Sequence, residues 1–165
     1  MQQVRTAVYF IQPVQTFIHK FKYENIFALA QPLATWMVQA WPSWQNPIDL
    51  LIPVPLHQDR QRARGYNQSE LLADQLSKHF GIPLATNALH RIRYTQPQVG
   101  LSAVDRHVNM AGAFVADADL VNGKHILLID DVFTTGATLS AATEILLTAG
   151  AQSVSGYCLA RAKQR

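Results

Sequence analysis

Cysteine is nearly absent from this 165-residue chain, and its scarcity excludes two kinds of covalent or metal cross-link. Cys158 is the one cysteine and stands between apolar neighbours. The sequence therefore has no pair for an internal disulfide and no cysteine cluster for zinc. We expect a reducing, cytoplasmic setting.

Long apolar runs and runs of charge are also missing. No segment approaches the roughly 20 apolar residues of a membrane-spanning helix, so we expect a soluble protein without membrane insertion. The 14 Lys and Arg residues are scattered and the net charge is only +3, which permits anionic partners without requiring them. Apolar residues make up 48% of the chain, enough to fill one core.

Hydrophobic spacing predicts strands and helices in alternation. Helices are predicted at 13–22, irregularly at 26–38, at 67–80 between the caps Asn67 and Gly81, at 103–110 and at 139–149. Strands are predicted at 48–54, 113–115, 125–129 and 154–159. Alternation of this kind indicates an α/β domain with a largely parallel sheet, which binds ligands beyond the carboxyl ends of its strands. Trp41 and Trp44 fit core packing better than the alternative, a dimer contact.

One segment carries the residues for chemistry. Four aliphatic residues, Ile126–Ile129, lead to Asp130 and Asp131, and a turn then precedes a helix. The turn contains Thr134, Thr135, Gly136, Ala137 and Thr138. A buried strand can present the two carboxylates to vicinal hydroxyls or to Mg²⁺, and hydroxyls with amides at a helix start suit a phosphate. At a polar strand end, Asp131→Asn is expected to cost little stability.

The alternative is an ordinary polar loop between strand and helix. It explains a helix cap but not this order of two acids, a glycine and three hydroxyls behind four aliphatics. The segment resembles the signature of type I phosphoribosyltransferases and is unlike a Walker loop. The resemblance implies that Asp130 and Asp131 contact the ribose, with Mg²⁺ held by them directly or indirectly, while residues 134–138 bind the 5-phosphate.

A basic cluster follows the first core strand. It contains Arg60, Arg62 and Arg64, followed by Gly65. Guanidinium groups donate in pairs to phosphate oxygens, so the cluster is a candidate site for pyrophosphate, the leaving group. The alternative is a solvated basic loop.

Taken together, several segments are similar to the ComF family, phosphoribosyltransferase-like proteins associated with DNA uptake in bacterial competence. They are Ile52–Pro55, Arg64–Gln68, Thr95–Leu101, Arg106 with Asn109, Gly112–Phe114 and Asp130–Thr138. The resemblance implies a type I phosphoribosyltransferase fold with a helical hood, here 1–47, and a core, 48–165, in one compact domain. Members commonly carry an N-terminal zinc-binding cysteine cluster. Either this branch lacks that module or the chain starts inside a longer one.

The resemblance also implies a lid. Residues 95–101 fall where related enzymes close a loop over the site, with Thr95, Gln96, Gln98 and Gly100 as its candidate residues. Composition alone fits an ordinary surface loop equally well.

These expectations combine into a phosphoribosyltransferase that binds phosphoribosyl pyrophosphate with Mg²⁺ and transfers or senses the phosphoribosyl group. The acceptor is not identified by any residue. The alternative is a non-catalytic adaptor that binds single-stranded DNA or a competence helicase through the arginines, Lys20, Lys22 and Tyr23. A homodimer is compatible with the apolar N-terminal region.

Overall fold

The fold is described from a computed structural model over residues 1–24, 26–93 and 112–162. The strands are β1 (Val4–Tyr9), β2 (Leu50–Pro53), β3 (Leu89–Arg91), β4 (Phe114–Ala116), β5 (His125–Phe133) and β6 (Ser153–Arg161). The helices are α1 (Val14–Tyr23), α2 (Ala30–Gln39), α3 (Gln58–Arg64), α4 (Gln68–Phe80), α5 (Ala118–Val121) and α6 (Ala137–Thr148), with a 3₁₀ turn at Phe27–Leu29. Across these described residues, every helix is too short or too polar to cross a bilayer.

The main sheet has four strands in the order β1-β6-β5-β2, and each neighbouring pair is parallel. Its central strands are apolar on both faces. In β5, Ile126 and Leu128 belong to one core and Leu127 and Ile129 to the other. This pattern confirms the predicted α/β class with a parallel sheet.

Helices α1, α2 and α4 cover one face of the sheet, and α6 covers the other together with the small antiparallel sheet of β3 and β4. On the first face, the rings of Trp41 and Trp44 pack against Tyr157, and Trp41 also stacks on Phe80 with ring centroids 4.0 Å apart. The two tryptophans therefore contribute to the core, as expected. The dimer stays a prediction.

Helix α4 confirms its predicted caps: the Asn67 side chain accepts from the Ser69 amide at 3.1 Å, and Gly81 ends the helix with a φ of 67°. Four elements were not predicted, namely β1, β3, α3 and α5. Strand β4 pairs with β3 outside the main sheet, and α5 ends at Val121 before β5 begins. The predicted helix at 103–110 lies outside the described residues.

The predicted boundary between 47 and 48 is not tested, but the described contacts cross it. Strand β1 pairs along β6 from Val4 to Tyr9, and Ile18 of α1 and Met37 of α2 share a core with Leu127 of β5. The N-terminal segment therefore completes the main sheet as well as covering it.

Candidate active site

The acid pair lies within β5, near its end. Strand β2 stops at Pro53, opposite Ile129, whereas β5 continues beside β6 to Phe133. The sequence indicated a strand ending before the acids, but β5 continues for four more residues, of which Asp130, Val132 and Phe133 pair with β6. Asp130 and Asp131 consequently stand where the neighbouring strand has already ended, which leaves space beside them.

Asp130 is held by two hydrogen bonds to its Oδ1 atom. The Ser69 hydroxyl donates at 3.0 Å and the Asp131 backbone N–H at 2.8 Å. Burial raises the pKa of Asp130 well above its usual range, and repulsion from the Asp131 carboxylate raises it further. Lys22 and the two hydrogen bonds oppose this rise without cancelling it. Asp130 therefore takes up a proton more readily than an exposed aspartate.

Asp131 forms an ion pair with a lysine of α1. Lys22 Nζ lies 2.8 Å from Asp131 Oδ2, and the two side chains are 21% and 5% exposed. Burial is the largest single influence and would lower the pKa of Lys22, but attraction to Asp131, the hydrogen bond to it and attraction to Asp130 together outweigh burial and leave that pKa raised. Lys22 is therefore mostly buried in an ion pair rather than displayed on an exposed surface, and the alternative DNA-binding role stays a prediction. Because Asp131 is buried against a cation rather than exposed at a polar strand end, Asp131→Asn is now expected to cost stability.

The buried position of Lys22 could have been predicted from helical spacing, although it was not. Lys22 follows buried Ile18 by four residues, which puts it on the buried side of α1.

The threonine-rich turn joins β5 to α6. Gly136 has a φ of 81°, and a Cβ built on it would lie 3.0 Å from Phe133 Cε2. Glycine is required here by both its conformation and its close approach. It has no side chain to cap the first amides of α6, and Ala137 N makes only a 3.5 Å contact with Thr135 Oγ1. Thr134 and Thr138 line the adjacent cavity, so a helix start and two hydroxyls converge there.

The segment predicted to be a basic loop forms a short helix, α3. Gly65 ends this helix in a left-handed conformation with a φ of 80°. Arg60 and Arg64 are one helical turn apart and both line the cavity. Arg62 lies on another side of α3, is exposed and does not line it. Arg64 also donates a hydrogen bond to the Gln68 side chain.

Arg91 of β3 is a cavity residue that the sequence analysis did not identify. It is buried, and burial together with repulsion from Arg60 lowers its pKa to about 10. The signal was the alternation in β3, where Leu89 and Arg91 face inward and the residue between them is exposed.

These groups share one cavity of about 1000 Å³. Its lining includes Lys22, Arg60, Arg64, Ser69, Arg91, Asp130, Asp131, Thr134 and Thr138, together with a wall from α1 and the residues before it, among them Phe10, Gln15, Thr16 and His19. The predicted lid residues Thr95, Gln96, Gln98 and Gly100 lie outside the described residues.

The acid pair suits Mg²⁺ only if a ligand completes the coordination. Magnesium commonly takes one or two carboxylates from a protein and fills its other positions with phosphate oxygens and water. Asp130 and Asp131 are two adjacent carboxylates, while the described part of the chain contains no group of three or more metal-binding side chains. The residues therefore fit a metal ion that arrives with a phosphorylated substrate.

The family described as "Phosphoribosyl transferase domain" matches residues 67–165. Among solved structures, "Structure of the allosteric regulatory enzyme of purine biosynthesis" superimposes with a TM-score of 0.53 at 22% identity, over 78% of this chain and 25% of that one. This likeness shows the fold alone. The class is therefore a phosphoribosyltransferase domain with the type I fold.

Curated relatives narrow that class. "Competence protein F" of Haemophilus influenzae is 36% identical over 161 residues, covering 93% of this chain and 70% of that protein. "DNA utilization protein YhgH" of Escherichia coli K12 is 33% identical over 166 residues, covering 97% and 72%. "Competence protein ComFC" of Bacillus subtilis is 35% identical over 113 residues, covering 68% and 44%. The chain belongs to the ComF family of phosphoribosyltransferase-domain proteins.

Proposed function

We propose that this domain binds phosphoribosyl pyrophosphate together with Mg²⁺ and transfers the phosphoribosyl group to an acceptor. One observation carries the proposal: a single cavity brings together the acid pair, the threonine-rich turn and two arginines. These groups match, in order, ribose hydroxyls, a 5-phosphate and a pyrophosphate.

In the proposed complex the 5-phosphate lies at residues 134–138, and Asp130 and Asp131 accept hydrogen bonds from the ribose hydroxyls. The bond between C1 and the pyrophosphate oxygen breaks, the pyrophosphate keeps the electron pair, and the acceptor bonds to C1 and loses its proton. Arg60, Arg64 and Arg91 stabilise the negative charge that grows on the leaving group. Magnesium, when bound, would supply further positive charge to the same oxygens.

The acceptor would enter along the wall formed by α1. Gln15, Thr16 and His19 offer amide, hydroxyl and imidazole groups on that side of the cavity. The names of the relatives, competence and DNA utilization proteins, support a role connected with bacterial DNA uptake.

Calorimetric titration of phosphoribosyl pyrophosphate with Mg²⁺ tests the proposal. Saturable binding is expected for the wild type, with at least about tenfold weaker binding for Arg64→Gln, which corresponds to about 1.4 kcal/mol. Arg62→Gln removes the same charge from another side of α3 and should weaken binding less. No binding by folded wild type would contradict the proposal, and steeply salt-dependent binding of single-stranded DNA alone would favour the adaptor.

A further inference from the structure

The last three residues of α1 each contact the core around the site. The Phe21 carbonyl accepts a hydrogen bond from the Tyr66 hydroxyl, and Lys22 pairs with Asp131. The guanidinium of Arg64 lies 5.2 Å from the centre of the Tyr23 ring. These successive contacts fix the end of α1, so Lys22 Nζ is held at the acid pair by its backbone as well as by charge.

The ammonium group occupies a position that a metal ion would need. It lies 2.8 Å from Asp131 Oδ2, within direct contact distance of that carboxylate oxygen. A divalent cation that takes this carboxylate oxygen must displace the ammonium. The displaced ammonium then needs another anionic partner, because the side chain is only 21% exposed.

We propose that Lys22 is a built-in counter-ion that competes with divalent cations for Asp131, so that the site holds a metal ion firmly only when a polyphosphate ligand accompanies it. The inference builds on the proposed metal-holding role of the acid pair. A pyrophosphate supplies the further oxygen ligands that the metal needs. It also supplies an anionic partner for the displaced Lys22. Lys22 thereby makes metal uptake depend on substrate.

Manganese binding without any sugar phosphate tests this directly, since the paramagnetic resonance signal of free Mn²⁺ falls as the ion binds. Lys22→Met should bind Mn²⁺ about tenfold more tightly than the wild type, because Asp131 is freed. Lys22→Arg keeps the positive charge and should stay weak. Lys20→Met is the matched control: it removes the same charge two residues away, from an exposed side chain, and should change affinity by less than about twofold.

Equal Mn²⁺ affinity in Lys22→Met and the wild type would overturn the inference, as would equal gains in Lys22→Met and Lys20→Met. Adding Asp131→Asn to Lys22→Met must abolish the gain. If Lys22→Met does not fold, Lys22→Gln serves the same comparison. Because no phosphoribosyl pyrophosphate is present, failure of that ligand to bind in calorimetry would be a separate result.

Discussion

The charge of the site is set by a few single residues. Asp130 and Asp131 repel each other, and among the described residues the lysine that forms an ion pair with this couple, Lys22, contacts Asp131. The two acids are therefore unequal: Asp131 has a cation beside it, whereas burial and the neighbouring carboxylate make ionisation of Asp130 costly. We expect substitutions at these neighbouring positions to have opposite effects on stability.

Asp131→Asn should lower the free energy of unfolding by roughly 2 kcal/mol, because it leaves the Lys22 charge partly buried without a partner. Urea unfolding measures this. The matched control is Asp74→Asn, which breaks an exposed ion pair with Lys78 at 2.6 Å and should cost about 0.5 kcal/mol or less. Equal losses in the two variants would contradict the buried role of Asp131.

Asp130→Asn should instead stabilise the metal-free protein, increasingly so as the pH rises. The raised pKa means that the folded state binds the Asp130 proton more tightly than the unfolded state. The stability that this tighter proton binding contributes is fully present below the unfolded pKa of 3.8, and it is lost as the pH rises through the folded pKa of Asp130. The amide keeps an oxygen for the Ser69 and Asp131 donors.

Urea unfolding of both proteins at about pH 5 and about pH 8 checks this, and the gain of Asp130→Asn should be larger at pH 8. A gain that shrinks with rising pH would mean that Asp130 is stabilised as a carboxylate in the folded protein.

Among the secondary-structure elements, the turn from β5 into α6 has the strictest local requirement. Gly136→Ala should destabilise the protein by roughly 2 kcal/mol, because the new Cβ meets Phe133 and the backbone is left-handed. Gly123→Ala has a similar φ of 69° with nothing within 4 Å of the new Cβ, so it isolates the conformational cost of about 1 kcal/mol. Thermal unfolding of both variants measures these losses of stability. Equal losses in the two variants would contradict the role given to the contact with Phe133.

Elements with local signals could be predicted from the sequence. Helix α4 has a capping Asn67 and a terminal Gly81, β5 contains the apolar run Ile126–Ile129, and β6 contains the apolar run Tyr157–Ala160. Strand β3 has three residues and α3 is seven residues long, too short for a clear hydrophobic period. The end of β5 was missed because Asp130 and Asp131 interrupt its apolar run, and the strand continues past them by pairing with β6.

The same distinction between local and long-range signals applies to the candidate site. Asp130 to Thr138 form one linear motif, so their chemistry could be inferred directly. Lys22 and Arg91 reach the cavity from distant parts of the chain, and only the tertiary fold brings them there.

At the scale of the whole molecule, the N-terminal segment and the core share one sheet and one apolar interior. A fragment of residues 48–165 would lack β1 and the helices that cover Leu127 and Tyr157. We expect it to show no cooperative thermal transition by circular dichroism, since exposed apolar faces must be buried for a stable domain. A cooperative transition near that of the full chain would show that 48–165 folds independently.

A crystal structure with phosphoribosyl pyrophosphate and Mg²⁺ tests the central claim most directly. We expect the 5-phosphate at the amides and hydroxyls of residues 134–138, the ribose hydroxyls at Asp130 and Asp131, and the pyrophosphate facing Arg60 and Arg64. A ligand bound outside this cavity, or no ligand at a saturating concentration, would contradict it.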